Sequence, residues 1–262
     1  MPRQIQCPPF NFESDNMNTA SIRQLNTALW DTRGSDVIGV TALPALGAFV
    51  SEENHHLFGD VTGKRVLDIG CGRGHSLQYL GERGAAELWG LDISKEQIEQ
   101  TRQYLSARGL QAKLICSPME DECGLPRDYF DIVYSIFGIG WTTDLDGTFA
   151  RIASYLKKDG VFIFNWSHQI HKCVILEDGR YVFKKSYFDE SWYPDSREGA
   201  EFTLCDRMIS TYVNALAQAG FFIGQMIERP DEELLQKSDE NDEFVKRRKM
   251  IPSGFVIKAR KM

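Results

Sequence analysis

The sequence predicts an α/β protein built on a parallel sheet with helices on both faces. Two observations carry that prediction. Between residues 60 and 165, β-rich apolar runs alternate with amphipathic helical patterns, which is how strand–helix–strand units read in sequence. The first of those runs, Val66, Leu67 and Ile69, stops abruptly at three glycines in alternate positions, Gly70, Gly72 and Gly74. Leu77 and Leu80 then mark one face of a helix, so the stretch reads as strand, tight turn and helix.

Each element follows from local pattern. Residues 1–21 are polar and broken by prolines, with Phe10 and Phe12 as isolated aromatics; they are either a loose terminus or an arm folded over the site. Residues 21–31 and 41–58 carry helical patterns. In the second, Pro44 suits a first turn and Leu46, Val50 and Leu57 fall near helical spacing. Trp30–Asp36 (W-D-T-R-G-S-D) lies between them, and His55 and His56 are expected to be exposed near a helix end. Residues 87–94 form the second strand. Ser94 opens the next helix as a capping box with Gln97 reaching back, Ile98, Thr101 and Leu105 face inward, and Gly109 ends it. Residues 112–116 and 130–135 are the third and fourth strands. Thr143 caps a helix, Leu145, Phe149, Ile152 and Leu156 are its buried stripe, and Lys157, Lys158 and Gly160 close it.

Residues 161–165 are near-continuously apolar, as a buried parallel strand requires, and run into Trp166, Ser167 and His168. Residues 169–201 are too long for a plain connection. They contain a D-G hairpin signal at Asp178 and Gly179 and a crowd of aromatics, Tyr187, Phe188, Trp192 and Tyr193. This insertion either covers a pocket at the carboxyl edge of the sheet or packs its aromatics on the surface. A helix is expected over 207–220, with Ile209, Tyr212, Leu216 and Ala219 inward, and final strands over 221–228 and 254–259. Residues 230–248 carry both charge signs and, with K-R-R-K at 246–249, read as a solvated loop. The chain divides into an N-terminal arm with helices, 1–59, and a main domain, 60–262.

Composition narrows the function. With 42% apolar and 26% charged residues the chain can bury an ordinary core. A net charge of −7 argues against nucleic acid as the main partner, because phosphate binding needs a basic face. No apolar run approaches membrane-spanning length and no leader pattern opens the chain, so no membrane association and a cytoplasmic location are expected. The six cysteines are then expected as reduced thiols. No C-x-x-C pair or H-E-x-x-H occurs, so no metal site is expected.

The glycine loop poses a choice of cofactor. A dinucleotide fingerprint has G-x-G-x-x-G, but here the spacing is G-x-G-x-G and His75 holds the third dinucleotide position. Asp68 lies two residues before the first glycine, where a carboxylate opposes a pyrophosphate and attracts an ammonium group. Asp92 follows about twenty residues past the glycines, where a ribose diol is held. A ligand with a diol and an ammonium group but no phosphates is S-adenosylmethionine.

At these residues, V-L-D-I-G-C-G-R-G, G-L-D-I-S and F-D-I-V-Y-S-I-F-G-I-G-W, the chain resembles the class I S-adenosylmethionine-dependent methyltransferases over residues 60–165. The resemblance implies a Rossmann-like, doubly wound seven-stranded sheet, mostly parallel with one antiparallel strand, preceded by N-terminal helices and with an insertion after strand five. It implies S-adenosylmethionine as cofactor and S-adenosylhomocysteine as product. Gly70, Cys71 and Gly72 would approach the methionine and ribose, Asp68 the ammonium group and Asp92 both ribose hydroxyls. Ile93, Met119 and Glu120 would border the adenine, and Ser135 and Ile136 the sulfur end. Many relatives carry an acid where this chain has Ser117. The expected acceptor is a small molecule, aromatic or hydrophobic, with an O, N or C nucleophile. His168 is the first candidate for a base that removes the acceptor's proton, His171 the second and His75 the third. An NAD-dependent oxidoreductase is the rival reading, opposed by His75 and Asp68. A non-catalytic S-adenosylmethionine-binding regulatory subunit is the other.

Overall fold

The computed structural model describes residues 18–32, 42–197 and 199–262. Residues 1–17 of the arm expected over 1–21 therefore lie outside the described residues, as do Arg33 and Asp36 of the tryptophan–arginine segment, while Thr19, Ala20 and Ser21 belong to a helix. In chain order the elements are α1 (Thr19–Thr32), α2 (Glu52–His55), β1 (Arg65–Ile69), α3 (His75–Gly81), β2 (Glu87–Asp92), α4 (Lys95–Ser106), β3 (Ala112–Cys116) and β4 (Phe130–Ile136). A 3₁₀ turn (Ile139–Trp141) follows, then α5 (Leu145–Tyr155), β5 (Leu156–Ser167), α6 (Gln169–Cys173) and the hairpin strands β6 (Val174–Glu177) and β7 (Arg180–Phe183). The chain closes with β8 (Trp192–Arg197), β9 (Ala200–Cys205), α7 (Ile209–Gln218), β10 (Phe221–Ile227), α8 (Glu232–Gln236), α9 (Glu243–Arg248) and β11 (Gly254–Lys261).

Alternation of side chains along each strand sets up two cores. On β5, Phe162 and Phe164 enter one core with Phe149, Tyr212 and Phe255. Ile163, on the opposite face, joins Val66, Leu77, Leu80, Ile98 and Tyr134 in the other. The strands form one seven-stranded sheet in the order β10-β11-β5-β4-β1-β2-β3. Strands β1 to β5 are mutually parallel where they pair, and β11 runs antiparallel to both β10 and β5. The order reverses at β1, between β4 and β2, and the crevice above the carboxyl ends of strands at such a reversal is where an open sheet receives its ligand.

Local chemistry departs from the sequence expectation at several points. Residues 41–58 do not form one helix: α2 is a single turn. Gly47 at φ +109° and Phe49 at φ +64° break the helical path. The buried Glu52 carboxylate instead accepts the backbone N–H groups of Leu57 (2.9 Å) and Phe58 (2.8 Å), fixing a loop. Leu46, Val50 and Leu57 are still buried, from that loop. His55 is not exposed, since its Nε2 meets Asp231 Oδ1 at 2.7 Å. Ser94 Oγ caps α4 through Gln97 N (3.1 Å), but the reciprocal half of the box is absent. Ser94 N–H goes to Asp92, and the Gln97 amide donates to the Trp30 carbonyl (3.1 Å). Asp144, one residue past Thr143, caps α5 through Gly147 N (2.9 Å). β5 begins at Leu156 rather than 161, its opening residue paired with Phe130.

The insertion holds two hairpins. β6 and β7 turn at Asp178 and Gly179, both at positive φ, as the D-G signal predicts. β8 and β9 form the second hairpin, and α1 packs on it. The Asn26 side chain pairs with the Thr203 backbone as a strand would, Nδ2 donating to the carbonyl (3.0 Å) and Oδ1 accepting from the N–H (2.9 Å). Residues 230–248 are not a solvated loop but contain α8 and α9, with Leu235, Val245 and Arg248 buried. No helix among the described residues is long and apolar enough to cross a membrane.

Asn26→Leu would strand two buried backbone groups of Thr203, each costing about 1–3 kcal/mol when unpaired. The expected result is a lower urea midpoint with an unchanged denaturant slope, about 3 kcal/mol of lost stability in all.

Candidate functional site

The site begins where β1 runs into glycine. Gly70 N and Cys71 N both donate to the Leu91 carbonyl (2.7 and 3.1 Å), which folds the loop over the end of β2. Gly70 and Gly74 sit at φ +78° and +81°, and a Cβ on Gly74 would come within 2.7 Å of Thr101 Cγ2, so neither conformation nor space admits a side chain there. The Thr101 hydroxyl donates to the Gly72 carbonyl and ties the loop to α4.

Two carboxylates stand at the ends of neighbouring strands. Asp92 Oδ2 accepts from Gly72 N and Oδ1 from Ser94 N, both at 2.9 Å. Burial raises the pKa of this carboxyl, and the two backbone bonds work against that rise. Asp68 is buried at 2% exposure, and its Oδ1 has no hydrogen-bond partner among the described residues. Burial outweighs the opposing effect of the Tyr134 hydroxyl and, with Asp92 adding repulsion, pushes its carboxyl well above the ordinary value of 3.8.

A cavity of about 380 Å³ opens over this loop. Asp68, Gly70, Cys71, Gly72, Asp92, Ile93, Met119, Glu120 and Ile136 all line it, as does His75. Burial raises the Cys71 thiol well above its ordinary range, so it stays protonated and inert at neutral pH. Ser135 is not on the cavity wall: its buried hydroxyl donates to the Ile69 carbonyl (2.7 Å), binding β4 to β1. The Glu120 carboxylate borders the cavity but is engaged elsewhere. It accepts from Thr143 N–H and from the hydroxyls of Thr142 (3.2 Å) and Thr143 (2.9 Å), and it faces Arg23 of α1 at 3.7 Å.

A second cavity, about 500 Å³, adjoins the first and shares Trp30, Phe137 and Trp141 with it. Trp141 packs edge-on against both Trp30 (5.3 Å between centroids) and Trp166 (5.9 Å), giving a rigid aromatic partition. Further wall residues come from β9 (Phe202, Leu204), the end of β5 (Asn165, Trp166) and α9 (Phe244, Arg248), with Asp195, Asp206 and Glu228 as the cavity's carboxylates.

The structure sets the first two histidine candidates apart. His168 is not on either cavity wall. Its Nδ1 accepts from Ile170 N (3.1 Å) as the cap of α6, so the proton is assigned to Nε2, which donates to Glu228 (2.8 Å). With both nitrogens committed and burial lowering its pKa, it is a capping residue rather than a base. His171 lines the second cavity, but its Nε2 accepts from Arg247 Nη2. Burial and the neighbouring Arg247 and Arg248 hold its pKa to about 3. Sequence reasoning held Phe137 and Trp141 only within the run S-I-F-G-I-G-W, expected by resemblance to face the cofactor's sulfur, and missed Arg23, Asn165 and Arg248. Only the F-x-x-x-R spacing of Phe244 and Arg248, one helical turn apart, was available as a signal for the last.

Comparison with known proteins agrees with this fold. Residues 66–160 match the family model described as a methyltransferase domain. The aklanonic acid methyltransferase DauC of a Streptomyces species is 30% identical over 154 residues, 56% of this chain and 67% of that protein. An S-adenosylmethionine-dependent methyltransferase from Mesorhizobium loti superposes with a TM-score of 0.68 at 24% identity, covering 86% of this chain and 100% of the other. Geranyl diphosphate C-methyltransferase from Streptomyces coelicolor, in complex with Mg2+, geranyl diphosphate and S-adenosyl-L-homocysteine, gives 0.62 at 13% identity, covering 94% and 100%. The chain belongs to the class I S-adenosylmethionine-dependent methyltransferases, and its cofactor is S-adenosylmethionine.

The Asp68 environment makes a stability prediction independent of any ligand. Its folded pKa lies above the unfolded value of 3.8. As pH rises past 3.8 the unfolded chain releases its proton first, and native stability falls until the folded pKa is reached. Asp68→Asn removes that penalty. The ligand-free variant should melt above the parent at pH 7, with the gain shrinking as the pH is lowered toward 3.8.

Proposed function

We propose that this chain transfers a methyl group to a small-molecule acceptor held in the second cavity, with cofactor in the first. The observation that carries the reading is the pair of contiguous cavities meeting at Phe137 and Trp141, with the unpartnered Asp68 Oδ1 on the wall of the first. When bound, S-adenosylmethionine supplies a methyl group already activated by its sulfonium. Asp68 accepts from the ammonium group, which provides the counter-charge its burial lacks. Gly70, Cys71 and Gly72 bring backbone against the methionine and ribose. Asp92 retains a free lone pair on each oxygen beyond its backbone bonds and takes the ribose hydroxyls. Ile93 and Met119 flank the adenine, Glu120 borders it, and Ile136 faces the sulfur.

For an in-line displacement on carbon, alignment and exclusion of water are the protein's main contributions. Trp30, Phe137 and Trp141 fix the line of approach between the cavities. Neither His168 nor His171 is placed to accept a proton, and His75 lines the first cavity and not the second, so the reading assigns no histidine base. The small-molecule substrates in the names of the Streptomyces relatives support a small-molecule acceptor here.

S-Adenosylhomocysteine should raise the melting temperature and NAD should not; the reverse would reject the cofactor site. Hydrogen bonds to charged groups are worth about 1.5–3 kcal/mol, so Asp92→Ala and Asp68→Asn should each weaken S-adenosylhomocysteine about tenfold or more by calorimetry. His168→Asn should leave that affinity unchanged. Transfer of label from a labelled methyl donor to a metabolite mixture distinguishes an enzyme from a protein that only binds the cofactor.

A further inference from the structure

The unpartnered polar atoms of the residues that line the second cavity are of one kind. Among the described residues, its buried side-chain atoms without a hydrogen-bond partner are Asn165 Nδ2, His171 Nδ1 and Arg248 Nε. All three are donors. The orientation of Asn165 is set by its Oδ1, which accepts from Phe137 N (2.9 Å). The proton of His171 is assigned to Nδ1 because Nε2 accepts from Arg247. Buried donors are normally satisfied, and a cluster left open on one cavity wall calls for a ligand that accepts.

Arg248 sharpens this to charge. It is buried at 8% exposure, yet forms no ion pair among the described residues. Its Nη1 donates to the Ala48 carbonyl (3.4 Å) and the Ser253 hydroxyl, while its plane lies 3.4 Å over the Phe244 ring. The edge formed by Nε and Nη2 makes no hydrogen bond to any described residue. That edge offers two parallel N–H groups, the geometry that matches a carboxylate side-on. Of the carboxylates on this cavity, Asp206 is held by Lys185 (3.3 Å) and Tyr193 (2.7 Å) and Glu228 accepts from His168, and neither these nor Asp195 forms an ion pair with Arg248. Arg248 is thus a buried guanidinium without a paired carboxylate, and a single guanidinium edge suits a monoanion better than a phosphate dianion.

We propose that the methyl acceptor carries a carboxylate seated on Arg248, with its apolar body against Trp141 and Trp166. This rests on the second cavity being the acceptor site. Arg248 lines that cavity and an outer cleft with Arg229 and Lys249, but not the first cavity, so the carboxylate is the anchor and not the methylated group.

The test uses the full chain saturated with S-adenosylhomocysteine and a panel of aromatic and aliphatic carboxylic acids, each paired with its primary amide and its phosphonate. Expected is at least one carboxylate bound tenfold or more tightly than its amide. That preference should be lost in Arg248→Gln and partly kept in Arg248→Lys, with S-adenosylhomocysteine affinity unchanged in both. A panel with no carboxylate preferred over its amide, a phosphonate that binds more tightly than its carboxylate, or a preference that survives Arg248→Gln overturns the proposal. The wild-type comparison decides the matter even if a variant fails to fold. Failure of S-adenosylhomocysteine itself to bind would instead strike the cofactor reading on which the proposal stands.

Discussion

One carboxylate holds the nucleotide end of this molecule together. Asp92, at the end of β2, accepts the backbone N–H of Gly72 in the loop and of Ser94 at the start of α4. Strand end, glycine turn and helix cap are thereby fixed relative to one another by two bonds to a charged acceptor, the stronger class of protein hydrogen bond. The loop can then lie open over the sheet without collapsing into it. Asp68 occupies the neighbouring strand end under the opposite condition, buried with one oxygen unmatched. A fold tolerates such a group when ligand binding supplies the missing charge.

The walls above the sheet come from distant parts of the chain. α1 reaches across to β9 through Asn26, and through Arg23 it donates to Asp121 in the β3–β4 loop (3.1 Å) and to Thr143 just before α5 (3.2 Å). Its Trp30 then meets Trp141 from the 3₁₀ turn. The second hairpin of the insertion contributes Phe202 and Leu204, and α9 contributes Phe244 and Arg248. Bulky aromatics packed edge to face make a partition with few rotamer alternatives.

How much was legible in the sequence follows a physical line. The strands from β1 to β4 and the hairpin turn at Asp178 and Gly179 read clearly, because period-2 burial and positive-φ residues are local properties. Nine of the cofactor-side residues fall on the first cavity, because a strand end and its following turn place them without help from elsewhere. Ser135 failed because alternation along β4 turns its hydroxyl toward Ile69 rather than the cavity. The stretch 41–58 misled because apolar spacing there serves a loop organised by Glu52. His168 misled because a histidine just past a strand end can cap the next helix as readily as face a ligand.

The sequence by itself determined the class of fold, the cofactor and the two aspartates at the ends of neighbouring strands. Those depend on contacts among residues close in the chain, where hydrophobic period, glycine conformation and charge sign speak directly. The second cavity was decided only by tertiary structure. Trp30, Asn165, Phe202 and Arg248 are far apart in sequence, and a charged run such as 246–249 reads as solvated until packing buries one of its members. Whether a side chain is left without a partner is a property of everything packed around it, and no local pattern encodes that.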